Sequence, residues 1–489
     1  MIDVLLVNGV VITMDKDRRV IADGAVAIDD GRIVEVGDTA QLTEKYTAER
    51  VIDCARHCVL PGFIDAHGHG GHSLFKTIAT DNINDWMPII TNVYKHEVTD
   101  DFWYYEGKLS ALERLKAGIT TGVSVLGSMS RSDDPVFALN HAQAYAEVGV
   151  REIVCTGPCN PPWPHPFSRW VDGKKVTKEV TYEEVLAGAE AVIEALHHAN
   201  SDRTRAYITP FVIVTSINPS AQLFGLTDFD RYQARKIREI ARKYDTRIHS
   251  DAFGGMIHLA VQDKEYALLG PDVHLQHCRG ISFDEAKILA ETGTNVSASP
   301  GFGQINAWTP ITELLEMGAT VAITTDGTSP MTPFDMFQAM RRMQLLQQAA
   351  LRDYFYLPPG KLLEMVTIDA ARCVGWDDEL GSLEAGKKAD VITVNMQQAH
   401  LTPETMHVQR LVYQAVGGDV NHVIVDGQLV MDQRQVLTVD EQRILTEANE
   451  EAARTIARAG LAAYMQPGKY FWGHARAYLD EGRARPLFS

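Results

Sequence analysis

Apolar positions in residues 1–58 come as short runs broken by turn pairs: 4–7, then Asn8-Gly9, 10–14, and later 24–28, Asp30-Gly31 and 32–36. Runs rich in β-branched residues and split by Asn-Gly or Asp-Gly signal hairpins, because those residues accept the positive φ of tight turns. The same texture returns at 389–394 and at 423–425, Asp426-Gly427 and 429–431. Two β-rich ends around a different middle predict one small β-sandwich built from both ends of the chain. The middle alternates apolar strand-like runs with stretches of helical period. Strands are predicted at 59–66, 118–126, 151–158, 206–216, 246–252, 273–278, 294–299 and 320–326. Helices are predicted between them at 102–117, 136–147, 182–198, 228–244, 283–291 and 311–317. Eight βα units place the chain in the α/β class as a (β/α)8 TIM-like barrel, whose active site lies at the C-terminal strand ends. Residues 439–465 read as an amphipathic helix. An aromatic-rich tail follows (Tyr464, Tyr470, Phe471, Trp472, Tyr478) and is expected to pack on this subunit or a partner. The expected organisation is 1–58 with 376–438 as the sandwich, 59–375 as the barrel, and 439–489 as a helical tail.

Length and composition narrow this only slightly. At 489 residues the chain exceeds one ordinary core, in keeping with a large domain and a smaller one. Hydrophobic residues at 45% and charged residues at 22% describe a soluble globular protein. A net charge of −18 argues against nucleic acid or an anionic membrane as partner. Six scattered cysteines make no disulfide framework, and Cys-x-x-Cys spacing is absent, so reduced thiols are expected. The N-terminus lacks a basic region, and no segment approaches the ~18 apolar residues of a membrane span. The expectation is a cytoplasmic protein acting on a small molecule.

The chemistry centres on VLPGFIDAHGH, residues 59–69, where an apolar run ends in His67 and His69. Residues two apart on a strand share a face, so both rings can reach one ion. With His72 close by, a merely histidine-rich turn is the plain alternative. His249, His277 and Asp326 fall at the ends of the fifth, sixth and eighth predicted strands. Singly, a strand-ending histidine is more often a hydrogen-bonded structural residue, and Thr-Asp-Gly a turn. Together, five such residues on four strands of one barrel predict a shared metal site.

These motifs, with His277-Cys278, Thr325-Asp-Gly327 and the later segment 381–390 (GSLEAGKKAD), resemble the amidohydrolase superfamily. The likeness is to its deaminase and chlorohydrolase branch, which includes s-triazine hydrolases and cytosine or guanine deaminases. It spans residue 1 to about 435. The resemblance implies one divalent metal ion held by His67, His69, His249 and Asp326, with His277 beside it. Zinc is the first choice; iron, cobalt and manganese are alternatives. One ion rather than two is expected, since no lysine lies in the strand-4 run 206–216 where binuclear relatives carry a bridging one. Such an ion lowers the pKa of its water towards ~7. Asp326 is then the proton shuttle, and His277 orients or polarises. The resemblance also implies a homo-oligomer.

The chain departs from the branch at one point. Deaminases there carry His-x-x-Glu on strand 5, whereas this strand reads His249-Ser-Asp-Ala252. Asp251 can replace the glutamate if the backbone deviates, for instance by a bulge before Gly254. The leading expectation is therefore hydrolysis of a C–N bond (amide, carbamate, urea or ring substituent) in a small, largely apolar cyclic substrate. The alternative is an aminohydrolase that deaminates a purine, pyrimidine, pterin or triazine ring; a non-catalytic scaffold is a minor third. Substrate contacts are expected from the strand-3 loop (Trp163, His165, Phe167, Trp170), for which packing of the aromatics on the barrel rim is the equal alternative, and from the strand-7 loop (Phe302, Gln304, Asn306, Trp308). Trp86 and Tyr94 are further candidates, with helix packing as their more ordinary role.

Overall fold

The computed structural model describes residues 1–80, 83–127, 131–217, 225–262, 268–305, 307–468 and 471–473; at 83, 84 and 302 it describes the backbone alone. Eight parallel strands lie side by side in chain order: Phe63–Asp65, Ile119–Leu126, Arg151–Thr156, Thr204–Ile208, Ile248–Phe253, Val273–Arg279, Asn295–Ala298 and Val321–Ile323. Beyond the eighth strand, the Asp326 amide donates to the His67 carbonyl at 3.1 Å, and Gly68 bridges Asp326 in parallel. The two ends of the sheet therefore meet at the residues of the predicted site. Side-chain caps start the surrounding helices: Thr181 before Tyr182–Leu196, Thr227 before Asp228–Lys243 and Ser282 before Phe283–Thr292, each in a capping box.

Both chain ends contribute to a second, nine-stranded sheet. In it Ile2–Ile12 pairs with Val20–Asp29, Ala48–Asp53 and His57–Pro61, and Val391–Asn395 lies on the far side of His57–Pro61. Strict alternation sends Leu6, Val26 and Ile28 into one apolar cluster and Leu5, Val7, Ala25 and Ala27 into another.

One strand was expected over 59–66; the structure divides it. Residues up to Pro61 belong to the chain-end sheet, and those from Phe63 belong to the barrel. The chain passes between them at Gly62, where any Cβ would collide with the Thr120 side chain. The strand-3 loop holds an antiparallel hairpin, His165–Val171 with Lys174–Val180, turning at Asp172-Gly173 with φ of 48° and 72°. The C-terminal amphipathic helix is Glu441–Arg458. Beyond it Tyr464, Phe471 and Trp472 are exposed, while Tyr470 and Tyr478 lie outside the described residues.

Candidate active site

His67, His69, His249, His277 and Asp326 converge at the C-terminal mouth of the barrel. His67 Nδ1 lies 2.8 Å from His249 Nε2, and His67 Nε2 lies 3.3 Å from His69 Nε2. Asp326 Oδ1 faces His69 Nε2 at 3.1 Å and His67 Nε2 at 3.5 Å, while Oδ2 is 3.9 Å from His277 Nε2. Donor atoms of His67, His277 and Asp326 all lie within 4.8 Å of one another.

The orientation of the rings tests whether this set fits a metal. His69 directs Nδ1 to the Gly127 carbonyl at 2.6 Å, and His249 directs Nδ1 to the His274 carbonyl at 3.2 Å. A backbone carbonyl on one ring nitrogen fixes the tautomer and leaves the other nitrogen's lone pair facing the centre, the arrangement metal-ligating histidines adopt. Asp326 is held from behind: Ser299 Oγ donates to Oδ2 and the Gly327 amide to Oδ1, both at 2.9 Å. The residues present fit a divalent ion.

Electrostatics agree. Burial, reinforced by His274 and His67, drives the pKa of His249 well below its ordinary value, so the ring is neutral, the form able to ligate a metal. Burial also brings His277 down to about 4, although Asp251 and Asp326 oppose the shift. Burial works against ionising Asp326, but the imidazoles of His67 and His69 beside it more than offset this and hold the carboxyl ionised.

Asp251 answers the question raised by Ala252. Its Oδ2 lies 3.7 Å from His277 Nε2, and it lines the same cavity as Asp326. No deviation of its strand is needed. His249 and Asp251 are two apart on a regular strand and so share the inward face, while Ala252 points outward into the apolar core. The irregularity lies on the neighbouring strand, where Cys278 is extra between the pairs Ala252–His277 and Phe253–Arg279.

The cavity measures about 200 Å³ and is walled by Trp86, Met87, Phe211, Phe253 and Met331, with Arg279 and Gln304 among its polar members. That is below the roughly 300–1,000 Å³ of drug-sized sites, a size for one ring system. Gln304 is a loop brace as well as a wall residue: its amide donates to the Ser299 carbonyl and Thr309 Oγ1 and accepts from the Thr309 amide. Trp308 does not line the cavity; its carbonyl accepts from the Gly280 amide at 3.0 Å. The Phe302 side chain and Asn306 lie outside the described residues.

The strand-3 aromatics do not line it either. Trp163 packs on Tyr182 at 5.5 Å and with Phe167 joins Cys159, Val180 and Val185 in a separate cluster. His165 Nε2 donates to the Asn160 carbonyl at 2.6 Å, and Trp170 Nε1 donates to the His96 carbonyl at 3.0 Å. The hairpin spends its aromatics on the flank of the barrel. Tyr94 is buried among Phe75, Phe102 and Trp103, whereas Trp86 reaches the cavity and donates to Ser329 Oγ. Phe253 and Arg279 were missed in the sequence. Phe253 stands two residues beyond Asp251 on a regular strand, where alternation identifies it. Arg279 follows the irregularity at His277 and Cys278 (φ of 72° and 45°), and alternation does not reach it. His72, stacked on His69 at 4.6 Å, is a further cavity residue. All six cysteines are free and buried, as expected of reduced thiols.

A (β/α)8 barrel with imidazoles and a carboxylate gathered at its strand ends defines a class of hydrolases that act through activated water. The chain belongs to the amidohydrolase family, matching it over residues 58–430. It is 31% identical over 448 residues to the 5-methylthioadenosine/S-adenosylhomocysteine deaminase of Desulforudis audaxviator, covering 88% of this chain and 95% of that one. It is 29% identical over 472 residues to the 5′-deoxyadenosine deaminase of Methanosarcina mazei, covering 94% and 99%. In fold it is similar to an adenosine deaminase from Xanthomonas campestris with bound zinc, at a TM-score of 0.79 and 21% identity over 93% of this chain and 99% of that one. It is also similar to an atrazine chlorohydrolase from Arthrobacter aurescens complexed with zinc, at 0.72 and 21% over 92% and 100%. It is an enzyme that hydrolyses carbon–nitrogen bonds.

Proposed function

We propose that the enzyme is an aminohydrolase that replaces the exocyclic amine of a purine-type heterocycle by oxygen and releases ammonia. The observation that carries this reading is the inward-facing Asp251, an acid in the cavity opposite Asp326. The names of the relatives, deaminases of adenosine derivatives, point the same way.

One divalent ion, zinc first, held by His67, His69, His249 and Asp326, would supply activation of water at neutral pH. Asp326, ionised and fixed by Ser299 and Gly327, takes a proton from the attacking water. Asp251 gives a proton to the adjacent ring nitrogen, so the ring accepts the incoming electron pair. Neutral His277 donates a hydrogen bond towards the oxygen that forms on the ring carbon. Asp326 passes its proton to the amine, which leaves as ammonia, and Asp251 recovers its proton as the carbonyl forms. Phe211, Phe253 and Trp86 face the ring and keep bulk water away. The same reading takes the protein as cytoplasmic and homo-oligomeric; light scattering of the purified protein checks the latter.

Ammonia release from adenosine, 5′-deoxyadenosine and 5′-methylthioadenosine tests the proposal. Asp251→Asn is expected to lower kcat by about 10²- to 10⁴-fold with metal content unchanged. If Asp251→Asn deaminates at the normal rate, ring protonation is not its task. Amide or carbamate hydrolysis with Asp326 as sole shuttle then becomes the better reading.

A further inference from the structure

Arg279 stands apart from the protein's other enclosed arginines. Arg114 is paired with Asp65, Arg131 with Asp133, and Arg151 with Asp390 and Asp426. The Arg279 side chain, half-buried in the cavity wall, has neither a hydrogen bond nor a carboxylate partner among the described residues, and its Nε is buried. Its guanidinium sits over the Phe253 ring at 5.2 Å, and the same ring stacks on His277 at 5.7 Å. The facing loop makes room for it at Gly303, where any Cβ would collide with the guanidinium. An arginine whose Nε is shut off from solvent and that has no counter-ion keeps unmet hydrogen-bonding capacity in the cavity wall. Held against a ring, beside the reacting centre, it keeps a fork of donors that matches a planar oxyanion.

We propose that Arg279 is the receptor for an oxyanion on the substrate, so that the preferred heterocycle carries a carboxylate or phosphate substituent. This rests on the aminohydrolase reading for the ring chemistry and departs from the expectation of a largely apolar substrate. Arg279 acts here on specificity, not on the proton transfers.

Matched substrates on the metal-loaded enzyme test it: S-adenosylhomocysteine against 5′-methylthioadenosine for the carboxylate, and adenosine 5′-monophosphate against adenosine for the phosphate. One oxyanion-bearing member is expected to exceed its neutral partner in kcat/KM. Arg279→Met should lower that member's kcat/KM by about 10- to 100-fold, mainly through KM, and leave the neutral partner nearly unchanged. Arg279→Lys, which keeps charge without the fork, should recover part of the loss. Equal losses on both members of a pair, or none on either, would overturn the proposal while leaving the aminohydrolase reading intact. If no ring is deaminated, that reading fails, and calorimetric binding of nicotinate and nicotinamide decides the role of Arg279. A preference for nicotinate that vanishes in Arg279→Met supports the proposal; equal binding, or a preference that persists in the variant, rejects it.

Discussion

The buried histidines of this barrel form two groups, one on its strands and one, His141, on the helix Val136–Val148, and opposite electrostatics govern them. At the mouth, His249 and His274 are driven well below the ordinary imidazole pKa, by burial first and then by neighbouring histidines. Behind them His141 is just as buried, and burial opposes its charge too. Yet Glu152 lies 2.6 Å from its Nδ1 and Glu106 2.9 Å from its Nε2, and the pair lifts its pKa to about 9. The lesson is that burial sets a common bias and the partner at each ring nitrogen decides the outcome. Neutral rings with one nitrogen turned inward keep lone pairs to offer a metal. A charged ring with a carboxylate on each nitrogen has none to offer, and its role is structural. His69 is the intermediate case: burial opposes its charge, and Asp326 beside it tips the balance upward. The two groups also touch. Glu106 accepts the Ser73 amide at 3.1 Å, and a Cβ at Gly70 would fall 2.7 Å from His141 Nε2. The charged histidine thus backs the turn that carries His69 and His72.

The hardest test of this division is at the mouth. Asp326→Asn removes a metal ligand and the proton acceptor but no core packing. It is expected to lower kcat by about 10⁴-fold or more while circular dichroism and the melting curve stay close to the parent's. A variant with near-normal ammonia release would refute the mechanism. The converse test lies behind it. Glu106→Gln breaks a buried ion pair and should cost about 3–5 kcal/mol in urea unfolding. The kcat of the folded, metal-loaded fraction should stay within a small factor of the parent's. If kcat falls as far as in Asp326→Asn, the two groups are one functional unit and the comparison fails.

Much of this was legible along the chain, for identifiable reasons. The eight barrel strands are continuous apolar runs because both faces are covered, so each stood out from its helices. Four of the five central residues stood out because each closes such a run, whereas His249 is the second residue of its strand, Ile248–Phe253. The division at Gly62 was hidden, since the reason for it is Thr120, a residue distant in sequence. Asp251 was within reach: counting two from His249 places it inward, whereas the spacing of the resembling family drew attention to Ala252. The strand-3 segment was misplaced for a similar reason. Its aromatics suggested a wall over the substrate, but Asp172-Gly173 between two β-rich runs is a hairpin signal, and the hairpin carries them to the flank. Phe211 and Met331 reach the cavity from loops that only the closed barrel brings together.

The smallest effect concerns pH and isolates His141 from the mouth. Its folded-state pKa of about 9 lies above the ordinary 6.5, so protonation stabilises the folded state. That contribution is fully present below pH 6.5 and is lost as pH rises through about 9. At 1.36 kcal/mol per unit, the difference amounts to about 3 kcal/mol at most. The site histidines cannot produce this limb once a metal holds them neutral, so the measurement belongs on metal-loaded protein. Unfolding free energy of the parent is expected to decline between pH 6.5 and 9.5. His141→Gln, less stable at pH 6.5, should run nearly flat and converge on the parent at the alkaline end. Parallel curves would mean that His141 is neutral in the fold, and that its two glutamates do not reverse what burial imposes on the histidines at the mouth.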